Sequence, residues 1–156
     1  MKSFNVDNIK EFMNELLLND KYDSFYLFDA KVNAAIDYYV NGKINREFFD
    51  KEELDNMTGD EYILWKDVKA TIHDYMKGNH LPIKFKIVLM FNRDNIIKLI
   101  EMNNILMHPD NVGALFMNIY YENGLLYVTS GISMNIFTMD KTLESIWDET
   151  LEKYYI

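Results

Sequence analysis

The sequence predicts an α+β fold, a mainly antiparallel sheet with helices packed on it, and three observations carry that expectation. Apolar residues recur at helical spacing in four stretches, runs rich in β-branched and aromatic residues lie between them, and two Asn-Gly dipeptides, Asn41-Gly42 and Asn123-Gly124, punctuate those runs. The chain of 156 residues is 49% apolar and has only two prolines, which suits one globular domain over residues 1–156. With no cysteine it cannot be a zinc finger, an iron–sulfur protein or a disulfide-framed module.

Taken in order, Ile9, Phe12, Met13, Leu16 and Leu17 mark a helix over 6–19, with Asn5 as its expected N-cap and Asp7 near the positive helix end. Residues 24–29 read as extended, and 33–49 as two strands joined by Asn41-Gly42, a dipeptide that tolerates the positive φ angles of a tight hairpin turn. An acidic loop follows, ending in Thr58-Gly59-Asp60-Glu61, a capping-box pattern. It opens a helix over 60–77 whose apolar face is Leu64, Trp65, Val68, Ile72, Tyr75 and Met76, with Gly78 as its stop. Residues 82–91 alternate and then turn apolar on both sides, as a covered strand does. Asn92 caps a helix running to about Asn103, and His108-Pro109-Asp110 breaks the chain into a loop. Residues 112–121 and 125–130 flank Asn123-Gly124 as a second hairpin, with a further strand expected at 133–138 after Gly131. Asp140 caps the last helix, 140–156, carried by Leu143, Ile146, Trp147, Leu151, Tyr154 and Tyr155.

The sequence repeats itself. Phe4-Asn5-Val6-Asp7-Asn8-Ile9 matches Phe91-Asn92-Arg93-Asp94-Asn95-Ile96 at five of six positions, and Tyr38-Tyr39-Val40-Asn41-Gly42 matches Tyr120-Tyr121-Glu122-Asn123-Gly124 at four of five. Convergent caps and turns explain the same matches without a duplication. Read as a duplication, repeat 1 covers about 1–50, an inserted acidic loop and helix about 51–80, repeat 2 about 81–139, and a C-terminal helix 140–156. Each half then resembles the βαβββ unit of sliding-clamp (processivity-factor) domains, whose helices face DNA; here the two repeat helices supply only Lys10, Arg93 and Lys98 for such a lining.

A resemblance of near full length comes from the runs 65–72, 77–88 and 137–144 with Trp147-Asp148, which look like an uncharacterised bacterial family known only as a domain of unknown function. The likeness implies a small bacterial protein and transfers no catalytic residue.

The net charge is −9, which opposes uniform attraction to nucleic acid or to an anionic membrane. Charge is uneven along the chain, however. Five lysines and two aspartates lie between Lys66 and Lys86, against six acids and one lysine between Asp50 and Glu61. No apolar leader opens the chain and its longest apolar run, 87–91, is far too short to span a bilayer, so no membrane association and a cytoplasmic location are expected.

On the second helix Lys66, Lys69, His73 and Lys77 form a basic stripe that continues to Lys84 and Lys86. These six are the expected binding residues for phosphates or an acidic partner, although an ordinary solvated face accounts for the stripe more simply. His108 oriented by Asp110 is the only catalytic pairing to weigh, with Thr129 or Ser130 as a hydroxyl, and no nucleophile motif accompanies it. His73 and His80 read as surface residues, and Gly131 as a bulge or corner. The acids at 50–61 lack the spacing and glycine of a calcium loop. With no P-loop, G-x-G-x-x-G, G-x-S-x-G or H-E-x-x-H, neither metal nor cofactor is expected. The sequence therefore points to a non-catalytic binding or scaffold protein, clamp-like in architecture, with a protein or nucleic-acid partner. The alternatives are a small hydrolase or ligand-binding protein using the His108–Asp110 loop, and a homo-oligomer held by its many tyrosines and methionines.

Overall fold

The computed structural model describes residues 1–57 and 59–156. Six strands form one antiparallel sheet in the order β1-β6-β5-β4-β2-β3: β1 Ser3–Asn5, β2 Tyr26–Asn33, β3 Asp37–Asn41, β4 Lys84–Met90, β5 Val112–Glu122 and β6 Leu125–Met134. The described helices are α1 Ile9–Leu17, α2 Lys51–Asn56, α3 Trp65–Met76, α4 Arg93–Met102 and α5 Thr142–Thr150, the last running into a π turn at Leu151–Tyr155. The fold is the expected α+β sheet-with-helices class.

Alternation along the strands gives the sheet two unlike faces. Ile87, Leu89, Met117, Ile119, Val128 and Val32 point to one side and join Phe12, Leu16, Trp65, Ile72, Ile96 and Trp147 of the helices in a single core. Two indoles tie the elements together: Trp65 of α3 donates to the Leu16 carbonyl of α1 at 2.8 Å, and Trp147 of α5 to the Phe116 carbonyl of β5 at 2.9 Å. On the far side of the sheet the described residues cover one end. There the Phe28 ring packs with its centroid 5.6 Å from those of both Tyr62 and Phe116, and the Tyr26 hydroxyl donates to Asp60 at 2.9 Å.

Several boundaries differ from expectation, each for a local reason. Asn5 closes β1 opposite Tyr127, and it is Asn8 whose side chain caps α1 by accepting from the Glu11 amide at 3.1 Å. The first hairpin turns at Ala34–Ile36, with Ala34 donating to the Ile36 carbonyl at 3.1 Å, so Asn41-Gly42 lies at the far end of β3 and makes no hairpin turn. Gly42 is instead required by close packing, because a Cβ there would fall 1.8 Å from the Leu27 carbonyl oxygen. Only Asn123-Gly124 shows the turn chemistry, with φ of 53° and 76°. The acidic stretch contains α2, closed by a reciprocal Asp50–Glu53 capping box. The box expected at residues 58–61 falls partly on Thr58, outside the described residues. α3 starts only at Trp65, because Tyr62 and Leu64 are spent on bridges to Lys43 and Tyr26. That helix ends as the chain turns extended at Lys77, and Gly78 takes no left-handed conformation. β6 continues unbroken to Met134, with Gly131 in register against Phe116, and the irregularity sits across from it at Gly113, between Val112 and Ala114.

The element order β1-α1-β2-β3 recurs as β4-α4-β5-β6, with two strands after each helix. Its pairing does not recur. β4 lies between β2 and β5, whereas β1 leaves its own half and pairs with β6. That displaced strand is held firmly. The Ser130 amide donates to the Lys2 carbonyl and the Lys2 amide to the Ser130 hydroxyl oxygen, the Met1 ammonium meets Glu144, and the Lys2 ammonium pairs with Glu152 at 3.0 Å. The buried Ser130 hydroxyl in turn donates to Asp148 of α5. Among the described residues no helix is long and apolar enough to cross a membrane.

Candidate functional site

A cleft opens between α1 and α3, closed at one end by the loop that leads into β4. Its wall on α1 is the stripe Ile9, Met13 and Leu17, which the four-residue spacing sets one above the other on the helix. Met76 of α3 and the Leu81-Pro82 pair of the loop complete the apolar lining. The floor is a stacked pair, Phe85 of β4 and Tyr121 of β5, with ring centroids 5.2 Å apart and planes within 11°. The cleft has a volume of about 530 Å³, within the range of small-molecule sites. Leu81 is 78% exposed, an apolar side chain held over open space at the cleft's edge.

Three basic side chains stand on the rim: Lys10 from α1, His73 from α3, and Lys77 at the cap of α3, whose amide donates to the His73 carbonyl at 3.1 Å. Among the described residues no carboxylate lines the cleft, in a molecule with 25 acidic side chains. Lys10 and His73 have no ion-pair partner among the described residues. Lys77 reaches Asp74 at 3.1 Å, but both groups are mostly exposed, and such a pair yields readily to a better anion. Chemically the cleft is an apolar trough with a cationic lip.

The structure divides the six expected binding residues among four places. His73 and Lys77 are on this lip. Lys66 is exposed near the start of α3, and the Lys69 ammonium is consumed within the fold, 2.6 Å from Asp23 and 2.7 Å from the Asn19 carbonyl. Lys84 and Lys86 project from β4 on the opposite side of the sheet from α3. The Arg93 expected on a DNA-facing helix instead holds the Val112 and Pro109 carbonyls, at 2.8 and 2.6 Å.

The His108–Asp110 pairing is a turn. His108 precedes a short 3-10 turn and accepts the Asp110 amide on Nδ1 at 3.1 Å, so the nitrogen nearest the carboxylate is already used; Asp110 meets Arg93 at 3.2 Å. Thr129 pairs with Asn118, six β5 positions from Val112, so about 20 Å of strand separates it from the His108 turn. Ser130, beside it, faces the other way and is buried. Among the described residues no three His, Asp or Glu side chains gather as metal ligands would.

The cleft walls escape a reading of the sequence because Ile9, Met13 and Leu17 count there as core. One signal was available, the apolar Leu81 beside Pro82 in a loop otherwise made of Gly, Asn and His. Compared with known proteins, the chain matches a family model described as a family of unknown function (DUF5721) over residues 15–156, while no curated protein and no solved structure matches it.

Proposed function

The chain belongs to the family of unknown function DUF5721, and on that premise we propose that it is a non-catalytic binding protein whose α1–α3 cleft takes an amphipathic anion. The observation that carries this reading is the contrast within one cleft of about 530 Å³, apolar walls and floor beneath a lip of Lys10, His73 and Lys77 without any carboxylate. An alkyl or aromatic body buried on Met13, Met76, Leu81 and Phe85 gains about 0.8 kcal/mol per methylene removed from water. A carboxylate or phosphate head at the lip meets two or three cations whose long side chains can follow it. The non-catalytic reading rests on the lining, which among the described residues offers no serine, threonine or cysteine and no acid to partner His73, while the Tyr121 ring serves as floor.

The test is a fluorescence titration with a dansyl-labelled medium-chain carboxylate. Wild type is expected to bind, Lys10→Glu/Lys77→Glu to weaken the complex by roughly tenfold, about 1.4 kcal/mol, and Leu81→Asp to weaken it comparably. The matching alcohol is expected to bind less well than the acid. No binding by wild type, or equal affinity for alcohol and acid, would sink the reading.

A further inference from the structure

The uncovered end of the sheet carries a second surface, independent of the cleft. Register places Tyr39, Lys31, Lys86, Tyr120 and Tyr127 side by side on five adjacent strands, one row that crosses β3, β2, β4, β5 and β6. At about 4.8 Å per strand the row is about 19 Å long. Lys84 stands two residues along β4 from Lys86 on the same face, and a shallow depression of about 200 Å³ opens among these side chains.

Two features of this row call for an external anion and for planar rings. Lys31 and Lys86 are direct cross-strand neighbours, an arrangement in which like charges repel. Neither they nor Lys84 has a carboxylate within ion-pair distance among the described residues. The carboxylates of the face, Asp29, Asp37 and Glu122, occupy the flanking rows, with Glu122 opposite Lys84 at the edge of the depression. The rings are also arranged for stacking. Tyr120 and Tyr127 lie face to face with centroids 5.0 Å apart and planes within 19°, and the Lys86 ammonium sits 5.5 Å over the Tyr120 ring. Tyr39 is 69% exposed and Tyr127 37%, so both offer ring surface to solvent at opposite ends of the lysine pair.

We propose that this tyrosine–lysine row binds single-stranded nucleic acid, with bases stacking on Tyr39 and Tyr127 and the backbone phosphates meeting Lys31, Lys84 and Lys86. An antiparallel sheet with helices on one face and aromatic rings interleaved with cations on the other suits splayed bases, and stacking is tolerant of sequence. A duplex suits it less, because its bases are already stacked on each other. The negative charge of the whole molecule confines binding to this row and makes it steeply salt-dependent.

The test is fluorescence anisotropy with labelled oligothymidine of about 12 nucleotides, titrated at about 50 mM and about 200 mM salt. Wild type is expected to bind at the lower salt and lose most of its affinity at the higher. Tyr39→Ala/Tyr127→Ala and Lys31→Gln/Lys86→Gln are each expected to weaken binding by at least roughly tenfold. Lys66→Gln, on the helical layer, should leave it unchanged, and a duplex of equal length should bind more weakly. Circular dichroism confirms that each exposed-site variant folds. Absence of binding at low salt overturns the proposal. So does retention of affinity by the tyrosine variant, or competition by polyglutamate as effective as that by unlabelled oligothymidine, since either reduces the row to a plain anion attractor.

Discussion

Gly42 lies against the backbone of Leu27 so closely that a methyl group on it would overlap the Leu27 carbonyl, 1.8 Å from its oxygen and 2.6 Å from its carbon. The contact belongs to a three-way seam, for Gly42 donates to the Phe28 carbonyl at 2.9 Å and accepts from Ile63, also at 2.9 Å. Backbone cannot rotate out of the way as a side chain can. Gly42→Ala is therefore expected to cost about 3 kcal/mol or more, read as a lower urea midpoint. Gly78→Ala, where the nearest atom is 3.8 Å away, should move it by less than about 0.5 kcal/mol.

The two buried indoles set up a matched pair of experiments. Trp65→Phe leaves the buried Leu16 carbonyl without the indole donor, and Trp147→Phe removes the same kind of donor from the part-buried Phe116 carbonyl. Each substitution is expected to destabilise the fold by about 1–3 kcal/mol in chemical denaturation, followed through the remaining tryptophan. A neutral result for either would mean that the corresponding helix is held by packing alone.

Burial, reinforced by the hydrogen bond to Asp60 and the nearby negative charges, pushes the Tyr26 hydroxyl up to about 12. Because the folded state holds this proton more tightly than the unfolded chain does, the contribution is intact below pH 10 and is lost as pH rises from about 10 through about 12. Tyr26→Phe is expected to flatten the alkaline limb of the stability curve in that window, and ultraviolet difference titration should lose one late-ionising tyrosine. An unchanged alkaline limb would contradict this assignment.

Lys69 and Lys66 look interchangeable along the chain and should behave differently. Lys69→Met strands Asp23 and the Asn19 carbonyl in partly buried surroundings and is expected to cost about 1–3 kcal/mol. Lys66→Met, at a solvated position, should stay within about 0.5 kcal/mol. Thermal melts of the two variants side by side decide it.

Helices and strands are legible in the sequence wherever one periodicity rules a whole stretch, as in α4, β4 and the β5–β6 hairpin. They are misread where a residue type serves two purposes. Asn41-Gly42 and Asn123-Gly124 are the same dipeptide, yet the second is glycine for its positive φ and the first for a close approach to a neighbouring backbone, which no local pattern reveals. Residues 62–64 belong to the apolar pattern of α3, but tertiary pairing with Lys43 and Tyr26 claims them as extended chain. Cations behave likewise. Their presence from Lys66 to Lys86 is plain, whereas the sheet that sends His73 and Lys77 to one side and Lys84 and Lys86 to the other is a product of the topology. Lys31, Tyr39, Tyr120 and Tyr127 come together only through strand register, from segments up to ninety-six residues apart.

The seam between β1 and β6 joins the first described strand made to the last. On the ribosome Ser3–Asn5 is made before every other described strand, yet its partners on β6 and its neighbours' anchors Glu144, Asp148 and Glu152 are made after all of them or with the last. Until then the growing chain carries an unattached leading strand, and β6, once formed, shows an open edge of free amides and carbonyls. The final stitch waits for α5, and a nascent chain stalled before that helix would be the species most prone to pair with its neighbours.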